Sequence, residues 1–189
     1  MKKVLLYISV ISFCALLFAC SEDSLQQKLD KEKDNRVEYV KDVGGFTQST
    51  TGLYYKYIEK SDAKHTVMDT ATILREKNMF AKLSVYMAFY KLREDDKRIK
   101  GDTITHNYLN GYFEPIEYTF GMTQLKAGLQ EALGMMKEGD KLRTVMSTSL
   151  YGVGEPVLGV EPMYTGTYQS IVCDIELAKI TTTTDHNLE

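Results

Sequence analysis

Tryptophan is absent from this chain, cysteine and histidine occur three times each, and basic side chains are outnumbered by acidic ones. Each shortage removes a class of explanation. His65, His106 and His186 lie far apart in polar surroundings, without the spacing or carboxylate company of a metal site, so neither a metal nor another cofactor is expected. Serine is plentiful, yet no Gly-x-Ser-x-Gly or comparable nucleophile setting occurs. The spaced glycines of "GVGEPVLG" lack the strand-then-helix context of a phosphate loop. No basic stripe is present, and nucleic acid is not expected as a partner.

The chain has one long apolar run, "VLLYISVISFCALLFA" behind the basic start "MKK", too short to span a membrane comfortably. It ends in "LFAC", Leu17 to Cys20, which resembles the lipobox of bacterial lipoproteins, with Phe18 bulkier than the usual small residue. The resemblance implies cleavage of the 1–19 signal peptide, lipidation of Cys20, and anchorage to a bacterial membrane of the cell envelope. Cleavage would leave 21 of the 23 basic side chains against 26 acidic ones, a formal charge of −5. Cys14 would leave with the signal and Cys20 would carry lipid, so Cys173 has no cysteine partner and the fold must rest on its core.

Residues 20–50 are polar, carry charges of both signs and end in Gly-Gly and Ser/Thr, the composition of a tether. Leu25–Val40 leaves a short helix open, but its apolar stripe is thin, so a linker with partial order is expected. The pattern then changes to that of a folded domain over 51–181, with 182–189 a frayed tail. "LYYKYIE" reads as a strand. From Phe80 to Leu92 the period is two, with Ser84, Tyr86, Ala88 and Tyr90 on one face and Leu83, Val85, Met87 and Phe89 on the other. That predicts a central strand, apolar on both faces. Asp95-Asp96 makes a turn, "KRIKGDTIT" returns, and "NGYFEPIEY" leads to another short strand. Leu125, Leu129 and Leu133 recur at helical spacing, Gly139-Asp140 is a turn, and "KLRTVM" is a strand. "SIVCDIELAKI" alternates, with Ile171, Cys173, Ile175 and Leu177 opposite Asp174 and Glu176. Strands, one short helix, then more strands predict the α+β class, a helix packed on an antiparallel sheet.

Gly121, Gly128, Met136, Gly139, Tyr151-Gly152 and Ile175-Glu176-Leu177, in this order and spacing, resemble the C-terminal half of FKBP-type peptidyl-prolyl isomerases. The resemblance covers roughly 51–181, most clearly from residue 116. It implies a twisted antiparallel sheet wrapped on one short α-helix. It also implies an activity that needs no nucleophile or proton transfer. Rotation about an X–Pro bond meets an amide barrier of ~18–20 kcal/mol and is slow unaided. A dry apolar pocket favours the twisted amide, which has lost much of its dipole, over the planar one. Lowering the barrier by about 4 kcal/mol accelerates rotation roughly a thousandfold.

By the same resemblance, Leu125 and Lys126 are the helix-entry pair, Leu129 stands at the pocket floor usually held by tryptophan, and Tyr151 is the ligand-bonding tyrosine. Ile116 and Tyr118 occupy two aromatic wall positions, and Cys173 replaces an inward phenylalanine of the last strand. The pocket tyrosine of the long strand falls at Tyr86 or Tyr90, and Ile99 matches a further wall aromatic. Lys100 stands where an aspartate usually follows, with Asp102 nearby. Leucine, cysteine and isoleucine at these places shrink the aromatic surface that would hold a prolyl ring. The expected partners are proline-containing polypeptide clients. Two other readings use the same fold: a non-catalytic peptide-binding or chaperone module, and an accessory subunit of a surface complex using the Tyr-rich 153–170 loop.

Overall fold

The computed structural model describes residues 24–92, 103–106, 114–121, 125–151 and 168–184. In chain order its elements are α1 (Leu25–Val43), β1 (Thr47–Gln48), β2 (Tyr54–Glu59), α2 (Val67–Arg75), β3 (Phe80–Lys91), β4 (Thr103–His106), β5 (Ile116–Thr119), α3 (Ala127–Met135), β6 (Lys141–Met146), α4 (Thr148–Tyr151) and β7 (Ile171–Thr183). Among the described residues seven strands form one antiparallel sheet in the order β1-β2-β6-β7-β3-β4, with β5 also on β3.

The strict alternation of Phe80–Lys91 makes β3 the spine of this sheet. It pairs with β7 over its whole length, from Phe80 opposite Thr183 to Lys91 opposite Ile171. Its other edge is divided, β5 taking Lys82–Val85 and β4 taking Ala88–Tyr90. A register shift between Ser84 and Val85 accommodates one extra residue of β7, which adds local twist.

One face of the sheet is packed on α3. Leu83, Val85, Met87 and Phe89 of β3 meet Leu142 and Met146 of β6 and Ile171, Cys173, Ile175 and Leu177 of β7, none more than 2% exposed. Helix α3 adds Leu129, Ala132 and Leu133, all fully buried. Each such leucine contributes about 1.5–3 kcal/mol by leaving water. Gly128 permits this approach, because a Cβ there would stand 2.8 Å from Met146 Sδ and 3.2 Å from Leu150 Cβ. Asp140 fixes the turn into β6, accepting from the Ser61 and Lys137 N–H groups at 2.7 Å each.

Helix α2 was not expected from the sequence, and α1, open there only as a short helix over Leu25–Val40, runs over Leu25–Val43. A reciprocal capping box starts α2, with Thr66 bonded to the Asp69 N–H and Asp69 to the Thr66 N–H. Helix α1 begins the same way at Ser24 and Gln27. It stops at Gly44, whose φ of +66° suits glycine and whose N–H bonds the Val40 carbonyl.

The expected tether over 20–50 is therefore corrected from Glu32 onward. The chain divides after Lys31, and from Glu32 onward α1 belongs to the same unit as the sheet. Tyr39, 2% exposed, packs with Leu92, Val145 and Val172 on the face of the sheet away from α3. Val40, Val43, Phe46, Tyr54 and Tyr90 surround this second cluster, and β1 pairs with β2. At the other end, Thr182 and Thr183, expected in the tail, pair with Ala81 and Phe80.

Candidate functional site

Tyr151 ends the single helical turn α4, which follows directly on β6. The Leu150 and Tyr151 N–H groups both bond the Ser147 carbonyl at 3.0 Å, closing that turn. The Tyr151 side chain turns inward and is 1% exposed. Its ring meets Phe89, with centroids 5.8 Å apart and planes tilted 53°. Leu129 from α3, Cys173 from β7 and Tyr118 from β5 belong to the same buried cluster, and Ile116 and Leu125 pack against it half-buried. Lys126 stands at the N-cap of α3 in extended conformation, with no side-chain capping bond. Six of the residues singled out in the sequence thus come together: Tyr151, Leu125, Leu129, Ile116, Tyr118 and Cys173.

Tyr86 and Tyr90 do not join them, which corrects their assignment to the pocket. Side chains alternate along a strand, so an even step in register leaves a residue on its face and only an odd step moves it. Both tyrosines share the face of Ala88, opposite the α3 side. Tyr90 packs in the Tyr39 cluster. Tyr86 lines a shallow cleft of about 110 Å³ with Ile58, Ala88, Lys141, Asp174 and Glu176. On this face Arg143 donates twice to Asp174, 2.6 Å to each oxygen, and the bond raises the guanidinium pKa further. The residue that β3 sends into the candidate site is Phe89. The alternation of β3 places Phe89 on that face, whereas the resemblance points to tyrosines of the opposite face. Ile99, Lys100, Asp102 and most of the 153–170 loop lie outside the described residues.

The electrostatics of the site are those of a dry interior. Burial pushes the Tyr151 hydroxyl well above the usual tyrosine range, with the neighbouring Cys173 and Tyr118 acting in the same direction. Tyr118 is raised by burial and then by Cys173. The Cys173 thiol is raised by burial and then by Asp174. All three stay neutral near pH 7. Among the described residues the buried Tyr118 hydroxyl has no hydrogen-bond partner. Among the described residues no three His, Cys, Asp or Glu side chains gather as metal ligands. The interior is dry, and among the described residues of the cluster there is no carboxylate, imidazole or amine.

A seven-stranded antiparallel sheet wrapped on α3, with Tyr151 at the entry to the segment before the last strand, is the FKBP-like α+β fold. Solved structures share it. FkpA from Escherichia coli superposes with a TM-score of 0.58 at 18% identity, over 93% of this chain and 71% of that one. A peptidyl-prolyl cis-trans isomerase from Pseudomonas syringae pv. tomato gives 0.58 at 14% identity, over 85% of this chain and 98% of that one. AtFKBP13 gives 0.52 at 14% identity, over 72% and 98% respectively. At these identities the likeness establishes the fold. No protein-family profile matches the chain, and no curated protein matches it.

Proposed function

We propose that this chain assists protein folding as a peptidyl-prolyl cis-trans isomerase, taking proline-containing segments of other polypeptides at the apolar cluster around Tyr151. One observation carries the reading: Tyr151, Leu129, Tyr118, Cys173, Ile116 and Leu125 converge on the α3 face of an FKBP-like fold. Rotation of an X–Pro amide is favoured where water is removed, and an apolar lining of this kind would remove it. The Leu17–Cys20 stretch supports a place in the bacterial cell envelope, with lipid on Cys20 as the membrane anchor.

A second reading, a binding module without catalysis, is favoured by the Phe89 ring lying on Tyr151. A proline-containing tetrapeptide separates the two. Isomerisation above the buffer rate that drops about threefold or more in Tyr151→Phe supports the enzyme. Binding by folded protein with no acceleration favours the module. Copurification of partners that is lost when the 153–170 loop is shortened would instead favour an accessory subunit.

A further inference from the structure

Glu32 is a carboxylate where a tether was expected, and its side chain is only 4% exposed. One oxygen, Oε1, accepts from the Thr148 N–H at 2.7 Å, the Ser170 hydroxyl at 3.1 Å and Arg36 Nη1 at 3.4 Å. Ser170 Oγ also accepts from Arg36 Nη1 at 3.1 Å, so Glu32, Ser170 and Arg36 close a ring. A carboxylate buried without such partners would strongly destabilise the fold.

The donors are not scattered. Thr148 opens the helical turn that ends in Tyr151, and Ser170 immediately precedes β7, which carries Cys173. The Ser147 hydroxyl, placed to cap that turn, is engaged with Ser149 Oγ at 2.7 Å. The cap on the first N–H of the turn comes instead from α1, 116 residues away in sequence.

We propose that Glu32 is a positioning residue for the candidate site. By holding the Thr148–Tyr151 turn and the foot of β7 together, it sets the orientation of Tyr151 and makes the Glu32–Val43 part of α1 belong to the peptide-binding unit. This role rests on the reading of Tyr151 as a peptide-contacting residue. The acceptor oxygen, rather than the full negative charge, is what the turn requires, because the 2.7 Å bond is made to a backbone N–H.

The test compares full-length wild type, Glu32→Ala and Glu32→Gln by amide hydrogen exchange and by affinity for a proline-containing tetrapeptide. In Glu32→Ala, exchange at Thr148 and Tyr151 is expected to quicken about tenfold while Val85 and Ile175 keep their protection, and tetrapeptide binding is expected to weaken about fivefold. Glu32→Gln keeps an acceptor oxygen and is expected to restore both within about twofold. If Glu32→Ala does not fold, Ser170→Ala removes one donor of the ring and is expected to shift both readouts in the same direction, by less. Unchanged exchange at Thr148 and Tyr151 overturns the coupling. Faster exchange with unchanged binding reduces Glu32 to a structural tie and also overturns the proposal. Absence of tetrapeptide binding in wild type removes the functional reading itself, and is thereby distinguished from a failure of Glu32 alone.

Discussion

Phe89 of β3 and Tyr151 of α4 pack ring against ring within the core, and are 2% and 1% exposed. Under the proposed function, this packed pair stands where a prolyl ring would have to enter. A site that must first part its own side chains binds more weakly by the fraction of time it stands open.

Truncating the covering ring should therefore have two opposed effects. Phe89→Ala is expected to destabilise the fold by about 3–5 kcal/mol, the range for a buried phenylalanine. Per folded molecule it is expected to raise tetrapeptide binding about three- to tenfold. Urea unfolding and tetrapeptide titration at matched folded fraction measure the two. A loss of stability without gain in binding would show that Phe89 obstructs nothing.

Gly128 offers a second measurement. Alanine is the better helix former by about 1 kcal/mol, so an unhindered site would gain stability from the change. The added Cβ would instead press on Met146 Sδ at 2.8 Å and Leu150 Cβ at 3.2 Å. The flexible Met146 can yield and Leu150 can yield less, and a net loss of about 1–2 kcal/mol is expected for Gly128→Ala. The denaturant midpoint decides it, and a stabilised variant would contradict the close approach.

Alkaline pH should loosen the core. Burial raises Cys173, Tyr118 and Tyr151, and also Tyr39, Tyr57 and Tyr90. Unfolded, the thiol releases its proton near pH 8.5 and the phenols near pH 10 (both about), while the folded chain retains them. Above those values the unfolded state binds fewer protons, so stability is intact at neutral pH and falls as pH rises. The decline is expected to begin at about pH 8.5 and to steepen past about 10. In Cys173→Ala its onset should move to the tyrosine range, which denaturant midpoints against pH will reveal.

The strands were the legible part of this chain because each faces a different environment on its two sides. Alternation in Phe80–Leu92 and in Ile171–Leu177 assigned every side chain to the face it occupies. Helix α3 showed itself by three leucines at one spacing, whereas α1 did not. Its anchoring residues are Tyr39 and a buried carboxylate, Glu32, and a hydropathy pattern counts the latter as solvent-facing. Its boundaries were nevertheless written, Ser24-x-x-Gln27 at the start and Gly44 at the stop, as was Thr66-x-x-Asp69 for α2. Site residues carried over by spacing converged wherever the register was fixed by glycines, from residue 116 onward. On β3 no glycine fixes the register, and an odd step there, one residue from Tyr90 or three from Tyr86, separates the tyrosines from Phe89.

The placement of β7 between β6 and β3 has a consequence for the chain's birth. Lys91 leaves the ribosome about 80 residues before its partner Ile171, a delay of roughly 4–16 s at ordinary synthesis rates. Throughout that interval two strand edges with apolar faces are open to other chains. Since β7 joins the two halves of the sheet, a copy that stops short of it cannot become a smaller working version and is work for a chaperone or a protease.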